Sequence, residues 1–530
     1  MLYICKKLYD KVYYPKVNLV RYSVLIIISK QDFMPRQLVR LAQDTAIYGV
    51  SSILGRFLNW LLVPLYTYVL ASPADYGQVT NLYAWTALLL VILTYGMETG
   101  FFRFINKEDE PNPMRVYSTS MISVGSTSLL FAVLVALFSQ SIANRLGYPS
   151  HPEYIWMIGS FVAIDAFASI PFAYLRYKKM PIRFAAYKIL FVVLNILFNL
   201  WFFIVCPYLM RVAPGMVSWF YNPDYGVGYV FVANFLSTII QTLFLLPYII
   251  AVRWTFNKTL LIDILKYSLP LLMLGIAGIM NQILDKILFP FLLKGHYGDT
   301  QLGIYGATSK MALVMLMFTQ AFRYAYEPFV FAQKREKSSL DSYSRAMTYF
   351  VIFSWLIFLA MIFYIDLFKI ILAREYWVGL KIVPVVLISF IFQGIYFNLS
   401  IWYKLTDRTM WGAWFALIGT VIIVAGNILL VPQFSYWGSV WSAFACYFVI
   451  MLLSYFVGLK YLSIPYDLRA LGLYSALALL LFAFSVVITT PYRWINLFVR
   501  TVLFAIFITV VIKRDFPLSN IPVLNRFFKK

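Results

Sequence analysis

Fourteen predominantly apolar blocks follow one another along the chain, at 45–71, 77–105, 116–142, 154–177, 182–208, 227–252, 262–293, 302–333, 345–372, 378–405, 409–432, 436–461, 469–490 and 492–512. About 20 apolar residues cross a bilayer as a helix, so each block predicts a transmembrane helix. The connections are short. The longest, Leu209 to Gly226, is under 20 residues, which leaves no room for a separate soluble domain between spans. Function must therefore sit among the helices or on their loops.

The blocks carry a weak two-fold repetition. Pro64 in the first span is followed thirteen residues later by Gly77, in Asp75-Tyr76-Gly77. Pro290 in the seventh is followed thirteen residues later by Gly303, in Gln301-Leu302-Gly303. The offset of 226 residues is about the length of six helices. It predicts two six-helix lobes related by an axis along the membrane normal, with a substrate site between them. Residues 34–258 would form the N-lobe, 259–462 the C-lobe, and 463–530 two further spans and a tail. Pro64, Pro171, Pro270, Pro290 and Pro384 are each expected to remove a helix hydrogen bond. Gly96 and Gly100 form a small-xxx-small pattern for close helix contact. Ordinary helix packing would account for any one of these.

Composition agrees with the pattern. Hydrophobic residues make up 62% and charged residues 12%, where a globular protein has about a quarter charged. The net charge of +22 would suggest nucleic acid, but its distribution argues against that partner. With the N-terminus inside, the inner segments after residue 33 hold 25 Lys and Arg, and the outer loops only Arg145, Arg211, Lys294, Arg374, Lys381 and Arg493. This positive-inside asymmetry places both termini in the cytoplasm, and the basic surplus can also contact anionic membrane lipids. The three cysteines, Cys5, Cys206 and Cys446, imply no disulfide framework. His151 and His296 lie in separate loops. No metal cluster, P-loop or GxSxG elbow appears, so no cofactor is expected. In residues 1–33 the longest apolar run, Val24 to Ile28, is too short for a span or a signal peptide. That segment is either a tail on the membrane surface or precedes a true start at Met34. We favour the second reading, on which it is dispensable.

The candidate chemistry lies in charges kept inside the membrane, each costing at least about 2.5–3.5 kcal/mol on insertion scales. The basic ones are Arg56, Lys188, Lys286, Lys310, Arg323, Lys369 and Arg500, and acidic residues include Glu98, Asp165, Asp285, Glu327 and Asp366. From the rise per residue, Arg103 lies near the inner face, Arg323 and Arg56 near the midplane, and Lys286 and Lys310 at one common depth further out. Such a cationic ladder suits a phosphate or pyrophosphate, which Arg can grip bidentately and Lys as a point charge. Structural readings stand beside this one. Asp285 would neutralise Lys286 or Lys310; Arg323 and Glu327, four apart, would form a closed pair; Arg103 would anchor the inner face; Lys369 and Arg500 would snorkel from span ends. Arg56 has no acidic residue three or four positions away. Lys310 and Arg323 are about 220° apart around a straight helix, so they share a cavity only if span eight bends or the cleft is wide.

Three stretches then carry a family resemblance. Thr45-Ala46-Ile47-Tyr48-Gly49 through Gly55-Arg56-Phe57 to Val63-Pro64-Leu65-Tyr66-Thr67 resembles the first helix of bacterial polysaccharide-biosynthesis transport proteins. Tyr95-Gly96-Met97-Glu98-Thr99-Gly100-Phe101-Phe102-Arg103-Phe104 is similar to their second helix. Gly303-Ile304-Tyr305-Gly306-Ala307 with Lys310, then Ala321-Phe322-Arg323-Tyr324-Ala325 with Glu327-Pro328-Phe329, resembles their eighth. The family is the oligosaccharide-flippase branch of the multidrug/oligosaccharidyl-lipid/polysaccharide exporter superfamily. The resemblance implies an all-α polytopic protein with two MATE-like six-helix lobes plus two C-terminal helices. It further implies alternating access around a cationic cavity, with no ATPase domain, in the inner membrane of a bacterium. The expected substrate is an undecaprenyl-pyrophosphate-linked oligosaccharide moved from the inner to the outer leaflet. Arg56, Arg103, Lys286, Lys310 and Arg323 would contact it, while Glu98, Asp165, Asp285 and Glu327 would couple an ion or pair charges. A polysaccharide polymerase and other assembly proteins are candidate partners. A lipid II flippase would suit the same cavity; a drug or cation antiporter would be expected to have a more acidic one. An enzyme is disfavoured because no outer loop is long enough to carry a catalytic centre.

Overall fold

The computed structural model describes residues 54–55, 57–58, 60–107, 112–251, 254–332, 337–488 and 490–515, and every regular element among them is helical. Thirteen helical segments there are long and apolar enough to cross a membrane. Of the remaining expected span, 45–71, the described helix is α1, Leu62–Val69. The chain is thus an all-α, multi-pass membrane protein.

Local chemistry sets the limits of the second span. Ser72 and Asp75 form a capping box, the Ser72 N–H donating to Asp75 Oδ2 at 3.1 Å. Pro73 then opens α2, Pro73–Thr94, where its missing N–H costs nothing. The helix stops because Tyr95 and Gly96 both take left-handed backbone, at φ 31° and 69°, and α3 resumes over Met97–Ile105. A Cβ at Gly96 would also lie 2.8 Å from the Ser268 carbonyl, so this position needs glycine twice over.

The N-lobe continues with α4 (Pro113–Leu146), α5 (Pro152–Tyr177) and α6 (Pro181–Leu200), the last running through a π turn at Trp201–Val205 into α7 (Cys206–Val212), and ends with α8 (Gly228–Ile250). In it α4 and α8 pack on α5, and α8 also packs on α6. The C-lobe comprises α9 (Lys258–Leu292), α10 (Gly295–Ser309), α11 (Leu313–Ala332), α12 (Lys337–Phe363), α13 (Val383–Leu399), α14 (Ile401–Leu405), α15 (Met410–Phe434) and α16 (Tyr436–Tyr461). Here α16 packs on α13 and α15, and α15 on α9. The last two helices, α17 (Leu468–Val487) and α18 (Arg493–Arg514), lean on α12. The Trp355 indole donates to Ser475 at 2.9 Å, and Tyr364 meets Thr501 at 3.1 Å. Pro384 departs from expectation: it falls in the first turn of α13, where no hydrogen bond is lost.

The lobes meet where α2 packs against α9 and α10. At one end of the bundle Gly77 and Gly303 face each other. A Cβ on Gly303 would come 2.9 Å from the Gly77 nitrogen, and one on Gly77 3.1 Å from the Gly303 nitrogen. Each would also overlap a backbone carbonyl, that of Pro73 for Gly303 and that of Asp299 for Gly77. Pro73 and Asp299 carry the same 226-residue offset as the two glycines. The contact therefore maps onto itself when the halves are exchanged, which is the mark of a two-fold axis passing between them. At the other end, the Arg103 end, Gly96 and Gly100 of α3 sit on Ser268 and Ile264 of α9.

Candidate functional site

Between the lobes lies a cavity of about 450 Å³. One stripe of each surrounding helix lines it, read at the three- and four-residue spacing that puts side chains on one helix face. From α2 come Tyr76, Thr80 and Tyr83; from α9, Gln282, Asp285 and Lys286; from α10 and the turn after it, Tyr305, Ser309 and Lys310. Helices α1, α6, α8, α11, α13 and α16 complete the described wall, with Tyr66, Asn195, Asn234, Leu316, Gln393 and Tyr447 among the contributors.

Among the described residues three charged side chains reach this space, Asp285, Lys286 and Lys310. Asp285 is 4% exposed and fully engaged. Lys286 Nζ donates to its two oxygens at 3.1 and 3.0 Å, and the Tyr305 hydroxyl donates to Oδ2 at 2.5 Å. Lys286 Nζ also donates to the Gln282 carbonyl at 3.2 Å and lies 5.1 Å from the centre of the Tyr305 ring. The expectation that Asp285 neutralises a neighbouring lysine is met by Lys286. Lys310 is different: it projects, exposed, into the cavity, and its ammonium has no carboxylate partner among the described residues. Two lysines against one aspartate leave this part of the cavity with a surplus positive charge.

The helix changes geometry where that charge sits. Span eight leaves α-geometry for a 3₁₀ turn at Lys310–Ala312 before continuing as α11, and the Trp60 indole donates to the Lys310 carbonyl at 3.0 Å. A mid-helix 3₁₀ stretch often marks a hinge. The backbone here is also tied across the lobes, since Asn81 Nδ2 donates to the Lys286 carbonyl at 2.9 Å. Tyr148, in the loop after α4, donates to Asn81 Oδ1 at 3.3 Å, and burial pushes its phenol well above the usual range.

The rest of the ladder is dispersed. Arg56 lies outside the described residues. Arg323 does not line the cavity; its Nε donates to Glu327 Oε1 at 3.1 Å, and Lys404 binds the same oxygen at 2.7 Å. The closed pair expected there is present, enlarged by a third residue. Arg103 stacks on Tyr267 at 4.2 Å from the ring centre, also away from the cavity. Glu98 pairs with Arg176, which the Phe102 and Phe184 rings flank. Asp165 and Lys188 act on each other across α5 and α6, the ammonium 4.0 Å from the Phe172 ring centre. Lys369 and Arg500, expected to snorkel from span ends, share an ion-pair partner there. They clamp the two oxygens of Asp366, at 2.6 and 3.0 Å, because an ion pair at the span end is available to both. Asp366→Asn should therefore loosen α18 from the C-lobe, by about 1 kcal/mol or less for so exposed a carboxylate. A small fall in melting temperature with unchanged export would be the result; Lys369→Ala and Arg500→Ala should likewise leave export intact.

The sequence reading passed over Tyr83, Asn195, Asn234 and Tyr305, which line the same space. Their signal was polar atoms inside apolar blocks; Tyr83, Asn195 and Tyr305 lie four residues from Val79, Phe191 and Ser309, while Asn234 has no such companion among the described lining residues of its helix.

Two lobes around a shared cavity, with two helices appended, make a fold shared with MATE transporters. The sequence profile of the polysaccharide biosynthesis protein family matches residues 41–326, more than half of the chain. The chain belongs to that family. Its fold is similar to that of a lipid II flippase, MurJ, in an inward closed conformation, at 13% identity over 88% of this chain and 99% of that one, with a TM-score of 0.69. It is also similar to a multidrug resistance MATE family transporter of the MOP superfamily in an inward-facing conformation, at 15% identity, 80% and 97% coverage, and a TM-score of 0.58. A third likeness is to MATE in complex with MaD3S, at 15% identity, 79% and 94% coverage, and a TM-score of 0.52. No curated protein sequence matches the chain.

Proposed function

We propose that the protein flips a lipid-linked oligosaccharide, joined through an undecaprenyl pyrophosphate, from the inner to the outer leaflet of a bacterial cell membrane for surface-polysaccharide assembly. The observation that carries this reading is Lys310, an ammonium in the cavity between the lobes without a carboxylate partner among the described residues, with Lys286 in the same cavity. A cation held inside a membrane at such a cost is expected to serve an anionic ligand, and a pyrophosphate supplies one. The low effective dielectric of the site strengthens each contact with it. Arg56, also near the midplane by its position in the sequence, would extend the cationic path. Alternating access would proceed by parting the lobes at Gly77 and Gly303 and closing them at the Arg103 end, with the breaks at Tyr95-Gly96 and Lys310 as bending points. The carried oligosaccharide would then meet a polymerase at the outer leaflet.

Family membership favours surface polysaccharide over lipid II. Deleting the gene should make a lipid-linked oligosaccharide accumulate and remove surface polysaccharide, while the cells go on dividing. Lysis with accumulation of lipid II would reverse that choice, and accumulation of neither lipid would end the flippase reading.

The charge asymmetry orients the Gly77 end outward and both termini inward. Single cysteines near Asp75, Asp224 or Tyr376 should react with an impermeant thiol reagent added outside intact cells. Cysteines between Lys178 and Pro181 should not; labelling there from outside would invert the topology.

A further inference from the structure

We infer that the cavity is divided by chemistry, with Lys286 and Lys310 of the C-lobe holding the phosphates and the side chains of Tyr83, Asn195 and Asn234 in the N-lobe forming a separate sugar subsite that sets which oligosaccharide is carried. This rests on the proposal that the cargo is a lipid-linked oligosaccharide. Among the described residues, the three charged ones that line the cavity, Asp285, Lys286 and Lys310, belong to the C-lobe. The N-lobe wall, among the described residues, has none; its polar and aromatic members are Tyr66, Tyr76, Thr80, Tyr83, Asn195 and Asn234, beside Phe191.

The hydrogen bonds leave these uncharged side chains with groups to offer. Asn234 Nδ2 donates to the Tyr83 hydroxyl at 3.0 Å, so that hydroxyl's own proton is free to be donated. Asn195 is 4% exposed, and its Oδ1 accepts from Asn199 at 2.9 Å, which leaves its Nδ2 as a donor. Thr80 donates to the Tyr76 carbonyl at 2.8 Å and keeps its oxygen lone pairs as acceptors. Fixed donors, an acceptor and ring faces without charge match a polyhydroxyl ring, whose hydroxyls give and receive hydrogen bonds and whose C–H faces are apolar. A pyrophosphate only accepts, and the lysines opposite compete for it better. Small numbers of placed polar groups among apolar ones are how ligand pockets impose specificity.

Two probes separate the walls on purified full-length protein. One is the lipid-linked oligosaccharide fraction that accumulates in cells lacking the transporter; the other is undecaprenyl pyrophosphate, which has no sugar. Wild-type protein should bind the first more tightly. Tyr83→Phe and Asn195→Ala should each weaken the first by roughly 5- to 10-fold, the effect of one lost hydrogen bond, and change the second by less than about twofold. Lys310→Ala should weaken both alike. Tyr83→Phe keeps the ring and the packing, so it reports even if Asn195→Ala folds poorly. Equal weakening of both probes by the N-lobe variants, or no weakening of either, would overturn the sugar subsite. Unchanged binding of undecaprenyl pyrophosphate by Lys310→Ala would instead overturn the phosphate reading, and failure of the lipid-linked oligosaccharide to accumulate would overturn the carrier reading on which both rest.

Discussion

Gly303→Val should reduce export by roughly fivefold or more while leaving membrane insertion intact, and Gly77→Val should do the same. The reason is steric and reciprocal. Backbone meets backbone at the crossing of α2 and α10, and a Cβ on either glycine would overlap the other helix's carbonyl. A flexible side chain could swing aside, but a peptide group cannot. Overpacking of this kind costs typically about 1–3 kcal/mol, and the cost falls only on the conformation in which the lobes touch here. A difference of that size changes the ratio of two conformations by roughly 5- to 150-fold. The protein should therefore rest with the Gly77 end open. Spin labels placed on the loops beside Pro73 and Asp299 should report a longer mean distance in either variant. An unchanged distance together with full export would show that the contact does not gate the cavity. The double variant should be little worse than one single variant, because a single wedge already parts the helices.

Much of the fold was legible in the apolar blocks, since a bilayer admits few ways to satisfy a helix backbone. The repeat was legible too, from Pro64-to-Gly77 and Pro290-to-Gly303, and these glycines turn out to lie across the two-fold axis from each other. The candidate site was less so. Lys286 and Lys310 could be placed at one depth from the rise of a helix, but depth carries no direction. Arg323 shares span eight with Lys310 yet turns to Glu327, and Arg103, on α3, turns to Tyr267. Lys404 completes the Glu327 cluster from 77 positions away, beyond any local spacing rule. Asn195, Asn234 and Tyr83 are ordinary polar residues in span sequence. Only the packing of six or more helices around one space shows that they look inward.

Loss of the ammonium at position 310 should have the other large effect. Nothing among the described carboxylates competes for it, so a bound phosphate would gain the full charge-assisted contact, worth about 1.5–3 kcal/mol. Lys286 is held by Asp285 and Tyr305 and must share its charge. Lys286→Ala should accordingly cost less in affinity than Lys310→Ala, although it also strands a buried Asp285 and should lower stability. Lys310→Arg keeps the charge and should stay within a few-fold of wild type. The most direct measurement is the dissociation constant of undecaprenyl pyrophosphate for the purified wild-type, Lys310→Ala and Lys310→Arg proteins. A rise of roughly 10- to 100-fold for alanine, with arginine near wild type, is the result expected. An alanine variant that binds as tightly as wild type would contradict the claim that this cavity receives a phosphate.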